Sequence, residues 1–344
     1  MVNDGVQRMT EPCALEGDSR VRLAGTRLGS FSYRLLAFLL AALYGATLSQ
    51  IPNEQFKDFA NYLIYAEHSW EMLLGWMERG LVPTFANEPV WLLINSALGA
   101  FFPPETVVRI IIFFSAGAVA WLVLAHHPRH FIWLILFLLL PAVVKNYLIH
   151  LRQGAAIALF LWGWYSPRPA RRWLWMGLAP FVHASFFFVL AVLFFSRVQN
   201  FLRFGPGIRA IAFVGLGVLM GIGLGWLAAL FGARQAEEYE FAMAQVSGLG
   251  FLLWCSVAGL WILEGRRFLL AHAFEMGMIL FYLATYWFVE VTARIFESGL
   301  ILVLLAGLAL TEWRRYAFLT IVLGWGGLMW LMNIGQAGMS FIAE

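Results

Sequence analysis

The chain has 344 residues, 61% of them hydrophobic and 12% charged, with a formal net charge of +3. A soluble domain carries about one charged residue in four, so this composition excludes an ordinary soluble domain and predicts an integral membrane protein. The small net charge gives no reason to expect a nucleic-acid partner, and Cys13 in a polar stretch and Cys255 in an apolar run predict no disulfide.

The first thirty residues are polar and hold Arg8, Arg20, Arg22 and Arg27. They read as a cytoplasmic N-terminal tail (1–30), a longer polar lead than a cleaved signal peptide has. Residues 31–344 read as a single polytopic membrane domain, since no repeat or low-complexity linker divides them. Window hydropathy predicts about eleven apolar segments. They lie near 31–50, 88–102, 106–125, 131–147, 150–166, 173–196, 210–231, 247–264, 268–289, 295–311 and 316–335.

Charge assigns the sides. The short loops HHPRH (126–130), SPRPARR (166–172), SRVQNFLRFGPGIR (196–209), EGRR (264–267) and EWRR (312–315) are basic and are expected in the cytoplasm. Residues 51–87 carry Glu54, Asp58, Glu67, Glu71 and Glu78 against Lys57 and Arg79, and are expected as a periplasmic loop, as is RQAEEYE (234–240). Two pairs of assignments then conflict in parity. Segments 88–102 and 173–196 resolve the conflict if each is a partial or re-entrant helix. The first is short and bounded by Pro89, Pro103 and Pro104; the second is interrupted by Pro180 and His183. Alternatively, 173–196 crosses simply and the arginines of 197–209 lie outside. The expected fold is all-α: about nine full transmembrane helices, two partial or re-entrant helices and a helical outer loop. In that loop Phe59, Tyr62, Leu63, Trp70, Leu73, Leu74, Trp76 and Met77 follow a broken amphipathic rhythm, predicting helices that cover a site.

A polar group at membrane depth is costly, and is a functional candidate for that reason. Arg152 and Gln153 open one apolar segment, and His183 and Ser185 interrupt another. With the expected topology, Lys145, His150, Arg152, Gln153, Glu290 and Arg294 gather at one face, with Asp58 and Glu88 flanking the outer loop. A cationic cluster on the non-cytoplasmic side suits an anionic substrate presented from the lipid. Each residue also has a plain structural use. Arg152 can snorkel, His183 can bond a neighbouring helix, Arg294 and Glu297 can pair three residues apart, and Asp58 can be a solvated carboxylate. His126, His127 and His130 share a loop with no supporting cysteine or carboxylate, so no metal centre is expected there. His272 and Glu275 are expected to reach the interface from a helix end.

Several motifs, taken in order, are similar to a known family. The loop carries Asp58-Phe59-Ala60-Asn61-Tyr62, and Glu88-Pro89 is followed by Val90-Trp91-Leu92-Leu93. Arg152-Gln153 precedes Gly154-Ala155-Ala156, a basic loop follows, and then His183-Ala184-Ser185. Over roughly residues 55–300 the chain resembles the EpsG family of Wzy-like polymerases of exopolysaccharide and O-antigen synthesis; Phe59 departs from the first tyrosine of the family's D-Y-x-x-Y pattern, and Arg294 fits a later outer arginine less specifically. The resemblance implies a metal-independent glycosyltransferase of the bacterial inner membrane with its active site facing the periplasm and no cofactor. It would polymerise undecaprenyl-diphosphate-linked repeat units, transferring the growing glycan from its lipid diphosphate to a sugar hydroxyl of the incoming unit. For that chemistry, residue type and expected side point to His183, Arg152, Arg294 and Glu88 as catalytic residues, and to Asp58, Tyr62, Lys145, Gln153, Ser185 and Glu290 as substrate-binding residues. Partners would be the lipid-linked glycans, membrane lipid, a chain-length regulator and a flippase. Two other functions stay open on the same residues, a flippase or transporter of anionic substrates and an O-antigen ligase.

Overall fold

A computed structural model describes residues 27–52, 56, 58–230, 247–287 and 292–333, and all regular structure among these residues is helical. After α1 (Arg27–Ser49), the region expected as an outer loop forms α2 (Phe59–Glu78) and α3 (Leu81–Ala86). The chain turns between them at Gly80, whose φ of 113° suits glycine. Helix α2 buries Tyr62, Tyr65, Ala66, Ser69 and Leu73, the spacing of one helical face. That face meets α4 (Pro89–Gly99), where fully buried Trp91 packs edge-on against Tyr62 and Tyr65 at 6.0 and 6.1 Å. Proline at the start of α4 needs no N–H there and presets φ for the helix.

Helix α5 (Pro104–His126) returns along α1, and α6 (Phe131–Leu138) and α7 (Pro141–Leu148) follow. The 131–147 segment, expected as one crossing, is two helices bent by 68°. Pro141 is the cause: it lacks a donor and holds Leu140 extended at φ −62°, ψ 137°. Helix α8 (Leu151–Trp164) leads to α9 (Pro169–Leu178), a 3₁₀ turn at Ala179–Phe181 and α10 (Ser185–Phe201). The α9–α10 segment doubles back on itself. The Arg197 guanidinium lies 4.7 Å over the Trp173 ring, so the two ends of 173–196 sit side by side. His183 is at the tip, where Pro180 and the 3₁₀ turn interrupt the helix. The segment is thus a broken hairpin rather than one straight helix.

The remaining helices are α11 (Pro206–Leu230), α12 (Leu249–Glu264), α13 (Arg266–Ala271), α14 (Ala273–Thr285), α15 (Thr292–Gly307) and α16 (Glu312–Asn333). Helix α15 is central, buried at every position from Ile295 to Gly307. Trp164 contacts Phe274 at 5.6 Å, which puts the end of α8 beside the start of α14. Arg172 hydrogen-bonds the Ser166 carbonyl, and Arg314 pairs with Glu264 at 2.7 Å, so the basic loops share that end of the bundle. His126 and His127 also lie there and are engaged by Tyr165: the His126 ring stacks on it at 4.2 Å, and His127 Nε2 and the Tyr165 hydroxyl share a hydrogen bond of 2.8 Å. Burial, with His126 and His130 nearby, holds the His127 pKa down at about 4. His272 and Glu275 do not reach the surface as expected. The break between α13 and α14 turns both inward, with His272 against Phe268 and Trp261.

Among the described residues, four helices are long and apolar enough to cross a membrane, Phe31–Ser49, Pro104–His126, Pro206–Gly223 and Glu312–Met332, or five if the bent pair counts as one span. Helices α8, α10, α12, α14 and α15 have 14, 17, 16, 13 and 16 residues. These are shorter than the ~20 residues a straight crossing takes, which is why the count falls below the expected one.

Helices α7 and α8 approach closely at Gly154, where a Cβ would run into the Asn146 carbonyl and the Tyr147 ring. Gly154→Val is therefore expected to lower stability by about 1–3 kcal/mol through overpacking. Thermal unfolding of the purified protein in detergent checks this, and an unchanged midpoint would show that the helices do not pack so tightly.

Candidate functional site

The site is built around Glu88. It occupies the junction of α3 and α4 with φ 57° and ψ 55° and is 4% exposed. A left-handed conformation costs an L-residue about 1–2 kcal/mol, and a residue before proline normally stays extended. Strain of this kind persists only where surrounding contacts over-determine it. Here the contacts are three donors. Arg152 Nη1 lies 2.5 Å from Oε2, and His183 Nδ1 and the Ala184 N–H lie 3.0 and 3.2 Å from Oε1. One comes from the start of α8 and two from the tip of the α9–α10 hairpin, so a single carboxylate joins three separate parts of the fold.

The donors also set the histidine tautomer. An ionised carboxylate can only accept, so Nδ1 carries the proton facing Glu88 and Nε2 of the neutral ring keeps its lone pair. The tautomer follows from the network rather than from an observed hydrogen.

The α8 end of the site is pinned by the covering helix. Tyr62 donates its hydroxyl to the Ile149 carbonyl at 3.0 Å and accepts the Leu151 N–H at 3.1 Å. Both are backbone groups at helix ends, where intrahelical partners run out. One turn along α2, Tyr65 places its ring 5.7 Å from the Arg152 guanidinium carbon. The Arg152 side chain keeps 20% exposure.

A second set of bonds ties α8, α10 and α15. Gln153 Nε2 and Ser298 Oγ donate to the Arg294 carbonyl at 2.8 and 3.0 Å, and Ser298 and Ser185 bond through their hydroxyls at 2.8 Å. The Arg294 side chain is exposed. Lys145 Nζ is 2.6 Å from Glu297 Oε1, joining α7 to α15. His150 Nδ1 stands 4.0 Å from Asp58 Oδ2 and lies within electrostatic reach of Arg294, Lys145, His183 and Arg152.

The structure thus brings together Glu88, Arg152, His183, Tyr62, Lys145, Gln153, Ser185, Arg294 and Asp58; Glu290 lies outside the described residues. Sequence reasoning missed Tyr65, the Ala184 N–H, Ser298 and the pairing of Lys145 with Glu297. Tyr65 and Ser298 carry a usable signal, three residues after Tyr62 and four after Arg294, each on its helix face. The Lys145–Glu297 contact spans distant segments and leaves no local trace.

No protein-family model matches the chain, and no match is found among curated proteins or solved structures.

Two measurements test this geometry. Glu88→Gln removes the counter-charge of Arg152 and is expected to destabilise by about 3 kcal/mol, as for other broken buried pairs. Arg152→Gln should cost less in that background than alone, because the residues interact directly; strictly additive costs would show no coupling. Tyr62→Phe forfeits two hydrogen bonds of about 1 kcal/mol each. Amide exchange along α2 should quicken accordingly, and unchanged protection would refute the pinning.

Proposed function

We propose that the protein is a membrane glycosyltransferase that polymerises lipid-diphosphate-linked oligosaccharide repeat units. The observation that carries this reading is the buried Glu88 carboxylate bridging Arg152 and His183. It sets a group able to hold a phosphate beside a group able to take a proton. In this reading the apolar helices span the bacterial inner membrane, the basic loops face the cytoplasm, and the Glu88 site faces the periplasm.

In the reaction, a hydroxyl oxygen of the incoming unit attacks the anomeric carbon of the growing chain. A new C–O bond forms there, and the bond from that carbon to the lipid diphosphate breaks, its electron pair leaving with the diphosphate oxygen. His183 Nε2 receives the hydroxyl proton as a general base. The imidazolium that results faces Glu88 and is stabilised by it. The Arg152 edge turned away from Glu88, with Arg294, meets the charge developing on the diphosphate, while Lys145 is held by Glu297 at the site's edge. Glu88 acts by orienting these groups, since its oxygens already accept three N–H donors. Tyr62, Gln153 and Ser185 hold the site's backbone, and Asp58 with His150 stands at its rim.

Purified protein in liposomes with lipid-linked repeat units tests the chemistry. His183→Ala is expected to slow polymerisation about 10²–10⁴-fold. Arg152→Lys keeps the charge but loses the bidentate fork, so it should also be strongly impaired. Near-normal rates in both would defeat the assignment. In cells, loss of the protein should leave single repeat units on lipid at the outer leaflet; units trapped on the cytoplasmic leaflet would indicate a flippase instead. For orientation, a cysteine replacing Glu67 should react with an impermeant reagent in intact cells and one replacing Arg171 should not. Equal reactivity would overturn the sidedness.

A further inference from the structure

Beside the ionic site lies an exposed aromatic row that the proposed chemistry does not use. Phe85 on α3 is 52% exposed and Phe187 on α10 is 44% exposed. Phe181, in the 3₁₀ turn between them, contacts both: its ring centre is 5.6 Å from that of Phe85 and 5.8 Å from that of Phe187, each edge-on. The rings come from three elements and close the seam between the covering helices and the hairpin tip. Phe85 precedes Glu88 by three residues, and Phe181 and Phe187 flank His183. Leu81 and Val82, also exposed, extend the row along α3.

The two sides of this seam differ sharply. Inward are Glu88, His183 and the guanidinium of Arg152; outward is a continuous apolar surface. A ligand suited to both has an anionic head and a hydrocarbon chain. We infer that the Phe85–Phe181–Phe187 surface seats the head-proximal part of the substrate lipid's hydrocarbon chain while its diphosphate faces Arg152. This rests on the function proposed above and adds which face of the protein the lipid approaches from. Within a bilayer the chain is already in an apolar medium, so burial alone gives little. What edge-on rings supply is a shaped surface that favours one chain position, and with it one headgroup position.

The test compares two probes, a long-chain polyprenyl diphosphate and inorganic pyrophosphate, binding to the full-length protein in nanodiscs. Phe85 and Phe187 are exposed, so the double variant Phe85→Ala/Phe187→Ala leaves the core intact; Phe181→Leu keeps apolar bulk while removing the ring. In each, the Kd of the long-chain probe is expected to rise about tenfold, while that of pyrophosphate stays within about twofold. An unchanged long-chain Kd in both variants would overturn the inference, and so would equal weakening of the two probes. Arg152→Ala separates the two levels of the proposal. If it weakens neither probe, the headgroup assignment and the proposed function fail, while the phenylalanine variants still decide whether the chain is seated on this surface.

Discussion

The site depends on the charge of one buried carboxylate. Glu88 is held in a strained backbone conformation and almost removed from solvent, so its charge has to be met within the protein. Three N–H donors meet it, and they belong to two parts of the chain that share no local structure. Holding those donors around Glu88 requires α8 to begin where the α9–α10 hairpin ends. The break at Pro180, the Tyr62 pin on the Ile149–Leu151 turn and the close α7–α8 approach at Gly154 all serve that registry.

Ion pairs of this kind add little net stability, because removing two charges from water offsets most of their attraction. Geometric selection is the stronger effect. A carboxylate that must satisfy an arginine, an imidazole and a backbone N–H has few acceptable positions, so each partner is held in one orientation. Central helix α15 extends the same restraint by holding Lys145 through Glu297, and Ser185 and Gln153 through Ser298 and the Arg294 carbonyl. The polar groups of the site are therefore anchored on rigid helices even though the cluster sits at helix ends.

Much of this was legible in the sequence, for identifiable physical reasons. Charge parity pointed to a break in 173–196, because a basic loop at each end of one apolar segment cannot be reconciled with a single passage; Arg197 over Trp173 shows the ends together. The amphipathic rhythm of 59–74 marked a covering helix, and α2 buries Tyr62 and Leu73 from it. The polar residues Arg152, Gln153, His183 and Ser185 stood out against apolar surroundings, and all four enter the network. The bend at Pro141 was readable in principle, since proline holds its predecessor extended, yet the hydropathy of 131–147 is continuous across it and hides the break. Hydropathy also says little about helix length, because it measures apolar content and is blind to where helices end inside the bundle. Least legible were the partners. Nothing local tells that Glu88 accepts from both Arg152 and His183, or that Lys145 meets Glu297. Those choices are made by packing between segments far apart in the chain.

The identity of the cation beside Glu88 then has a physical reason. An ammonium is a compact point charge, and Lys145 at 2.6 Å from Glu297 directs its charge to that carboxylate. A guanidinium is planar, with five N–H donors on separate edges. Arg152 uses Nη1 for Glu88 and keeps part of its side chain exposed. It can therefore hold the carboxylate and still present donors to an incoming anion, without exchanging one partner for the other. The carboxylate in turn prevents the guanidinium from swinging toward solvent when no anion is bound. An arginine clamped in this way faces the ligand side with its donors already oriented, and that lowers the ordering cost when charge arrives or develops there. Lysine in the same place would have to leave Glu88 to serve the ligand, and the carboxylate would be left buried with its largest counter-charge removed.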